Sequence, residues 1–277
     1  MSLQINLFDK TIKIRHLILA TLLAGVLLAQ HIPAWGEYYA REIYPVVGTL
    51  LSAFSHLLPW AIGDLFIALS LIGIVVYPIY VHCRKHWSWW QAWGRTGEYL
   101  LWVYVWFYVA WGLNYSQPHF YQRTSMERTP YSEANFRSFA SQYIDSLNAN
   151  YTEEVLKDRS VLCNEAVEGY RNISRTLGVH SPFLDKPRVK TMLFSPLISM
   201  VGVSGSMGPF FVEFTVNGEV PAVQYPSTYT HEMAHWLGIA SEAEANFYAY
   251  QVCTRSQVSP MRFSGYLGIL PYVGIFS

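Results

Sequence analysis

Hydrophobic residues fall in this chain first as long runs, then at helical spacing, then in short β-type stretches, and finally at helical spacing again. No Asp, Glu, Lys or Arg occurs from His16 through Ile32, and the run is densest over Leu17–Ala29. It predicts a helix over about 14–32. Its basic start and the small residues near Ala29 also suit a signal peptide, but two longer apolar segments follow and favour a membrane anchor. Trp60–Val81 holds twenty-two residues with one charge, Asp64. About 20 apolar residues cross the hydrocarbon core, so this is read as a span over 60–82. Asp64 lies one turn inside its end, where it can reach the headgroups. Tyr99–Tyr115 carries no charge and several Trp, and a third span is expected over 98–115. Between the first two, Val46, Val47, Leu50, Leu51, Phe54, Leu57 and Leu58 recur at helical spacing, as an amphipathic helix on the membrane or on the protein would show.

The second half reads differently. Residues 116–131 contain Pro118 and Pro130 and form a linker. Ser132 with Glu133 starts a helix to about Asn148, and Thr152 with Glu153 and Glu154 starts another that Gly178 ends. Val189–Phe194, Pro209–Val216 and Val220–Tyr225 are short and rich in β-branched and aromatic residues. They predict a small sheet with Asn217-Gly218 as a hairpin turn. Two helices follow, over about 227–237 and 241–256, and an apolar end from Phe263 to Ser277.

Composition agrees with a membrane protein. Of 277 residues, 52% are hydrophobic and only 14% charged, where a soluble domain has about 25%. Nineteen basic residues balance nineteen acidic ones, so nothing points to nucleic acid. Three cysteines, Cys83, Cys163 and Cys253, make no disulfide framework. Lys10, Lys13 and Arg15 precede the first expected span, and Arg84, Lys85 and Arg95 lie between the second and third. The positive-inside rule puts both groups in the cytoplasm. Three crossings then place residues 116–277 outside it, with residues 1–115 as a multi-pass anchor.

The chemistry concentrates at His231-Glu232-Met233-Ala234-His235. Residues four apart share a helix face, so both imidazoles can reach one Zn²⁺. Glu232 lies about 100° round the helix, where it can act on a water at the metal as general base. Catalytic zinc takes three protein ligands. Gly238 can end this helix and Ser241 can cap the next, which opens Glu242-Ala243-Glu244-Ala245-Asn246. Tyr225, Tyr229 and Tyr248 are candidate donors to an oxyanion.

His231-Glu232-x-x-His235 followed by Glu242-x-x-x-Asn246 resembles the gluzincin metallopeptidases. The resemblance implies Glu242 as third zinc ligand, Glu244 as the alternative, and Asn246 as a partner of a ligating His. The run from Phe210 to Leu267, with Glu244-Ala-Asn-Phe and Arg262-Phe-Ser-Gly-Tyr-Leu, is similar to a bacterial membrane family, DUF3810, as is Trp111-Gly-Leu-Asn-Tyr115. Together they imply an α+β zincin-like domain after a bundle of three transmembrane helices, a strand edge that holds an extended peptide or protein substrate, and hydrolysis outside the cytoplasm. The alternative is a non-catalytic envelope binding or assembly protein with a structural or vestigial zinc site.

Overall fold

A computed structural model describes residues 2–124 and 126–274, with side-chain environments for residues 14–124 and 126–273. Lys10 and Lys13 fall outside the described side chains, and the last three residues of the apolar end fall outside the described chain. Among the described residues the protein is mostly helical, with one three-stranded sheet.

The chain opens with α1 (Ser2–His31) and the short α2 (Pro33–Tyr38). A π-helical turn leads into α3 (Tyr44–His56). Then come α4 (Ile62–Lys85) and α5 (Trp89–Ala110), joined by a tight corner at which Ser88 and Gln91 form a capping box. Among the described residues, two helices are long and apolar enough to cross a membrane: α1 over Ile14–His31, and α4 over its whole length. Their aliphatic side chains are largely exposed, as at Leu28, Leu71, Ile72 and Val75.

The expected third span is not among them. α5 includes Arg95 and Glu98, and its later turns interleave Leu and Val with Trp102, Tyr104, Trp106 and Tyr108. Indole and phenol groups lower its apolar character below that of α1 and α4. It stops at Ala110, and Gly112–Ser116 form a 3₁₀ turn instead. α5 nevertheless packs against both neighbours and runs in the same direction as α1. Arg15 donates to Glu98 at 2.8 Å, Gln30 to the Tyr104 hydroxyl at 3.1 Å, and Tyr39 to the Val109 carbonyl at 2.8 Å.

The remaining helices are α6 (Phe120–Thr124), α7 (Glu133–Ala149), α8 (Arg159–Leu177), α9 (Ser195–Ser199), α10 (Tyr225–Trp236), α11 (Glu242–Thr254) and α12 (Ser259–Gly274). Ser132 caps α7 as expected, and Gly178 closes α8 with φ of 62°. α8 begins later than Thr152, because Asp158 is the group that accepts from the free N–H groups of Ser160 and Val161.

The sheet has the order β1 (Lys190–Thr191), β3 (Glu213–Val216), β2 (Gly205–Gly208). β1 is parallel to β3, with Lys190 opposite Thr215. β2 is antiparallel to β3, with Gly205 opposite Val216 and Gly208 opposite Glu213. The hairpin turn therefore lies at 209–212, not at Asn217-Gly218. Asn217 instead ties down the loop before β2, donating to Ser199 Oγ and the Val203 carbonyl, both at 2.9 Å. Residues 220–225 are turn and the start of α10 rather than a strand.

One buried ion pair joins sheet and helical bundle. Lys190 Nζ binds Glu213 and donates to the carbonyls of Ser55 at 2.7 Å and Trp60 at 2.8 Å. Glu213 accepts the N–H groups of Ile62 and Gly63, which open α4. Both side chains are almost fully buried. The carboxylate thus caps α4 while the ammonium closes the preceding corner. Lys190→Met leaves the buried Glu213 without its counter-charge, at a cost of about 3–5 kcal/mol. The thermal midpoint in detergent is expected to fall by on the order of 10 °C, and Lys190→Met with Glu213→Gln to recover much of it.

Candidate metal centre

α10 carries the His-Glu-x-x-His motif, and it is a core helix. Nine of its twelve residues are buried, including Glu232 and His235. Phe214 of β3 and Phe183 pack on Trp236, and Tyr229 lies against Phe214. The helix backbone is held by side chains from distant elements. Tyr170 of α8 donates to the Thr230 carbonyl at 2.7 Å, and Tyr44 of α3 to that of Trp236 at 2.7 Å. Trp111, just past α5, donates to the carbonyl of His235 at 3.0 Å. Gly238 then turns the chain with φ of 92°, and its carbonyl accepts from Gln117 at 2.6 Å. Ser241 accepts from the Glu244 N–H and starts α11.

This turn folds α11 back over α10 and brings three side chains together. His231 Nε2 and His235 Nε2 are 3.0 Å apart. Glu242 places one oxygen 3.1 Å from the first and the other 3.4 Å from the second. One ligand atom from each residue lies within 4.8 Å of the others.

The opposite ring nitrogens fix the tautomers. His235 Nδ1 faces the Ile239 carbonyl at 2.6 Å, which can only accept, so Nδ1 carries the proton. His231 Nδ1 faces Asn246 Oδ1 at 2.8 Å, while Asn246 Nδ2 donates to the Tyr272 hydroxyl at 3.1 Å. Each ring then turns its Nε2 toward the other and toward the Glu242 carboxylate. Two imidazoles and a carboxylate grouped this closely could hold a metal ion. The two N and one O donors fit Zn²⁺ and other first-row ions. The neighbouring imidazoles hold the Glu242 carboxyl well below the usual carboxylate range. Burial pulls the His235 imidazole down, but its hydrogen bond to Glu242 and the charge of Glu232 outweigh that, leaving it raised.

Glu232 stays out of this cluster. It is 4% exposed, and its Oε2 has no hydrogen-bond partner. Burial pushes its carboxyl up to about 7, against the pull of the two histidines. It lies against β2: a Cβ on Gly205 would stand 2.4 Å from Glu232 Oε1. A cavity of about 610 Å³ opens over the cluster, between β2, α10, α11, α12 and the end of α5. Gly205, Ser206 and Met207 line it, and β2 is the outer strand of its sheet on that side.

Glu244 is elsewhere. Its carboxylate is paired with Arg123, which is itself 7% exposed, and accepts from the Phe120 N–H at 3.1 Å. The three tyrosines singled out as oxyanion donors also lie outside the cavity. Tyr225 stacks under Arg159, Tyr229 is in the core, and Tyr248 donates to the Leu177 carbonyl. Tyr115, Tyr250 and Tyr272 line the cavity instead. No local pattern marks them, because they come from three separate elements.

Residues 39–275 match the family described as "Protein of unknown function (DUF3810)". The chain belongs to that family. No curated protein and no solved structure matches it. In this DUF3810 member the matched region covers the whole cluster, the sheet, and the helices α4 and α5 that reach it.

The placement of the two acids on α11 is separable by stability. Glu244→Gln leaves Arg123 buried without its counter-charge and is expected to cost about 3 kcal/mol. Glu242, on the cavity side, is 76% exposed and faces the two imidazoles rather than a buried guanidinium, and Glu242→Gln is expected to lower the thermal midpoint less than Glu244→Gln in metal-free buffer. Thermal denaturation followed by circular dichroism checks both.

Proposed function

We propose that this chain is a membrane-anchored, zinc-dependent metallopeptidase that hydrolyses peptide bonds outside the cytoplasm. The observation that carries this reading is the convergence of two Nε2 atoms and the Glu242 carboxylate beside the buried Glu232, whose Oε2 has no hydrogen-bond partner. His231, His235 and Glu242 would hold the metal. Asn246 and the Ile239 carbonyl fix the imidazoles that face it, a common support for ligating histidines. When bound, the ion would supply Lewis acidity toward a scissile carbonyl.

The chain's own groups supply the rest. Glu232 Oε2 takes the proton of the attacking water and returns it to the leaving amine. A carboxyl raised to about 7 by burial suits both halves of that exchange. The outer edge of β2 offers backbone N–H and C=O groups along the cavity, where an extended peptide can pair as an added strand. Gly205 lets that strand lie directly on Glu232, with no side chain between them.

The sidedness rests on charge. Arg15 and Arg95 meet at Glu98, and Arg84 and Lys85 end α4, all at the end of the bundle away from the sheet. Basic residues favour the cytoplasmic face. The opposite end, where α4 begins at Glu213 and Trp106 donates to the Phe210 carbonyl, carries the rest of the protein. That arrangement supports a cytoplasmic N-terminus and an extracytoplasmic site.

Elemental analysis of the detergent-purified chain is the first test. About one zinc per chain, lost in His235→Ala, is the expected result. Absence of metal under zinc-sparing conditions refutes the reading. With metal present, Glu232→Gln should keep it and lower cleavage of a peptide library by about 10²–10⁴-fold or more. A variant that keeps full biological function would point to an envelope binding or assembly protein with a structural ion. Gly205→Ala should also keep the metal yet lose most cleavage, because its methyl group occupies the space of the Glu232 carboxylate.

A further inference from the structure

From Thr191 to Val212 no residue carries a charge. Part of this stretch is the loop that contains α9 and leads from β1 to β2, and its apolar side chains point outward. Leu197 is 66% exposed, Met200 82% and Val201 75%, and Leu193, Phe194 and Val203 are exposed beside them. An exposed, contiguous apolar patch without charge marks a surface that something covers.

The position of the loop says what covers it. The Leu193 N–H donates to the Asp64 carboxylate at 2.9 Å. Asp64 is in the first turn of α4, the more apolar of the two candidate spans. The patch therefore begins at the level where α4 leaves the protein, beside the exposed Leu65 and Ile67 of the same helix. Leu57 and Trp60, at the corner before α4, are exposed at that level too. Trp at the boundary of an apolar span is typical of the headgroup layer.

We propose that the α9 loop is immersed in the surface of the lipid bilayer, next to the point where α4 enters it. Leu197, Met200 and Val201 reach the upper acyl chains, and Ser199 between them keeps its Oγ in the hydrogen bond from Asn217. Asn217 holds the loop from behind through Ser199 Oγ and the Val203 carbonyl, so it is presented as a fixed wedge. Because the loop runs straight into β2, the membrane surface lies a few residues from the outer strand of the sheet. This interaction does not depend on the chemistry of the metal centre.

The test uses the full chain reconstituted in phosphatidylcholine–phosphatidylglycerol vesicles, with Cys83→Ser and Cys163→Ser to remove the accessible native thiols. An environment-sensitive fluorophore is attached at Met200→Cys and, for reference, at Lys157→Cys in the exposed polar loop before α8. Lipids brominated near the top of the acyl chain are expected to quench the label at 200 several-fold more than that at 157. Equal quenching overturns the proposal. So does efficient Met200→Cys disulfide formation between copies at high dilution in lipid without quenching, which assigns the patch to a second copy of this chain. Val201→Cys repeats the measurement if Met200→Cys does not yield folded protein.

Discussion

A helix that carries two imidazoles and a carboxylate is costly to bury, and α10 is buried on nearly every side. The fold depends on meeting that cost. Each ring nitrogen that faces the protein finds an acceptor, Asn246 Oδ1 or the Ile239 carbonyl. The carbonyls near the end of α10 accept from Tyr44 and Trp111, and that of Thr230 from Tyr170. The donors come from α3, α8 and the end of α5, so elements far apart in sequence must be assembled before α10 is stable. On α10, Glu232 Oε2 and the Tyr229 hydroxyl are left without a hydrogen-bond partner, and a buried unpaired carboxyl is an exception that calls for an explanation.

The same logic divides what the sequence reveals from what it hides. The two histidines, the Gly238 turn and the Ser241 cap follow from spacings of three or four residues within one helix–turn–helix, and the family resemblance adds Glu242 and Asn246. Glu242 and Glu244 cannot be told apart that way. What separates them is Arg123, more than a hundred residues earlier, which takes Glu244 into an ion pair. The oxyanion candidates fail for a related reason: burial depends on the whole core, and α10 turns Tyr229 into it rather than toward the cavity.

The bundle was legible by hydrophobicity alone only for α1 and α4, whose aliphatic surfaces are outward. α5 lacks charge in its second half, yet its indoles and phenols are used for contacts within the protein. Trp106 reaches the sheet hairpin and Trp111 reaches His235. The sheet was harder still. Asn217-Gly218 has the composition of a hairpin turn, but its side-chain amide braces a loop at Ser199 and Val203, well before it in sequence, and that outcompetes the local preference. The turn that does form contains Val212 at φ of 50°, a residue no turn rule would choose. Ser52 Oγ holds the carbonyl of Val212 at 2.8 Å.

The indole of Trp111 has a consequence for how the protein can be divided. Tyr39, Tyr44, Trp111 and Leu113 share one core with Leu162, Trp236 and Tyr248. The sequence boundary near residue 115 is therefore not a seam in the packing. A chain cut there would lose two of the donors that close the end of α10 and expose the wall against which Trp236 rests. Bundle and centre then behave as a single mechanical piece: a displacement of the end of α5 would move the carbonyl of His235, whose imidazole faces the cavity.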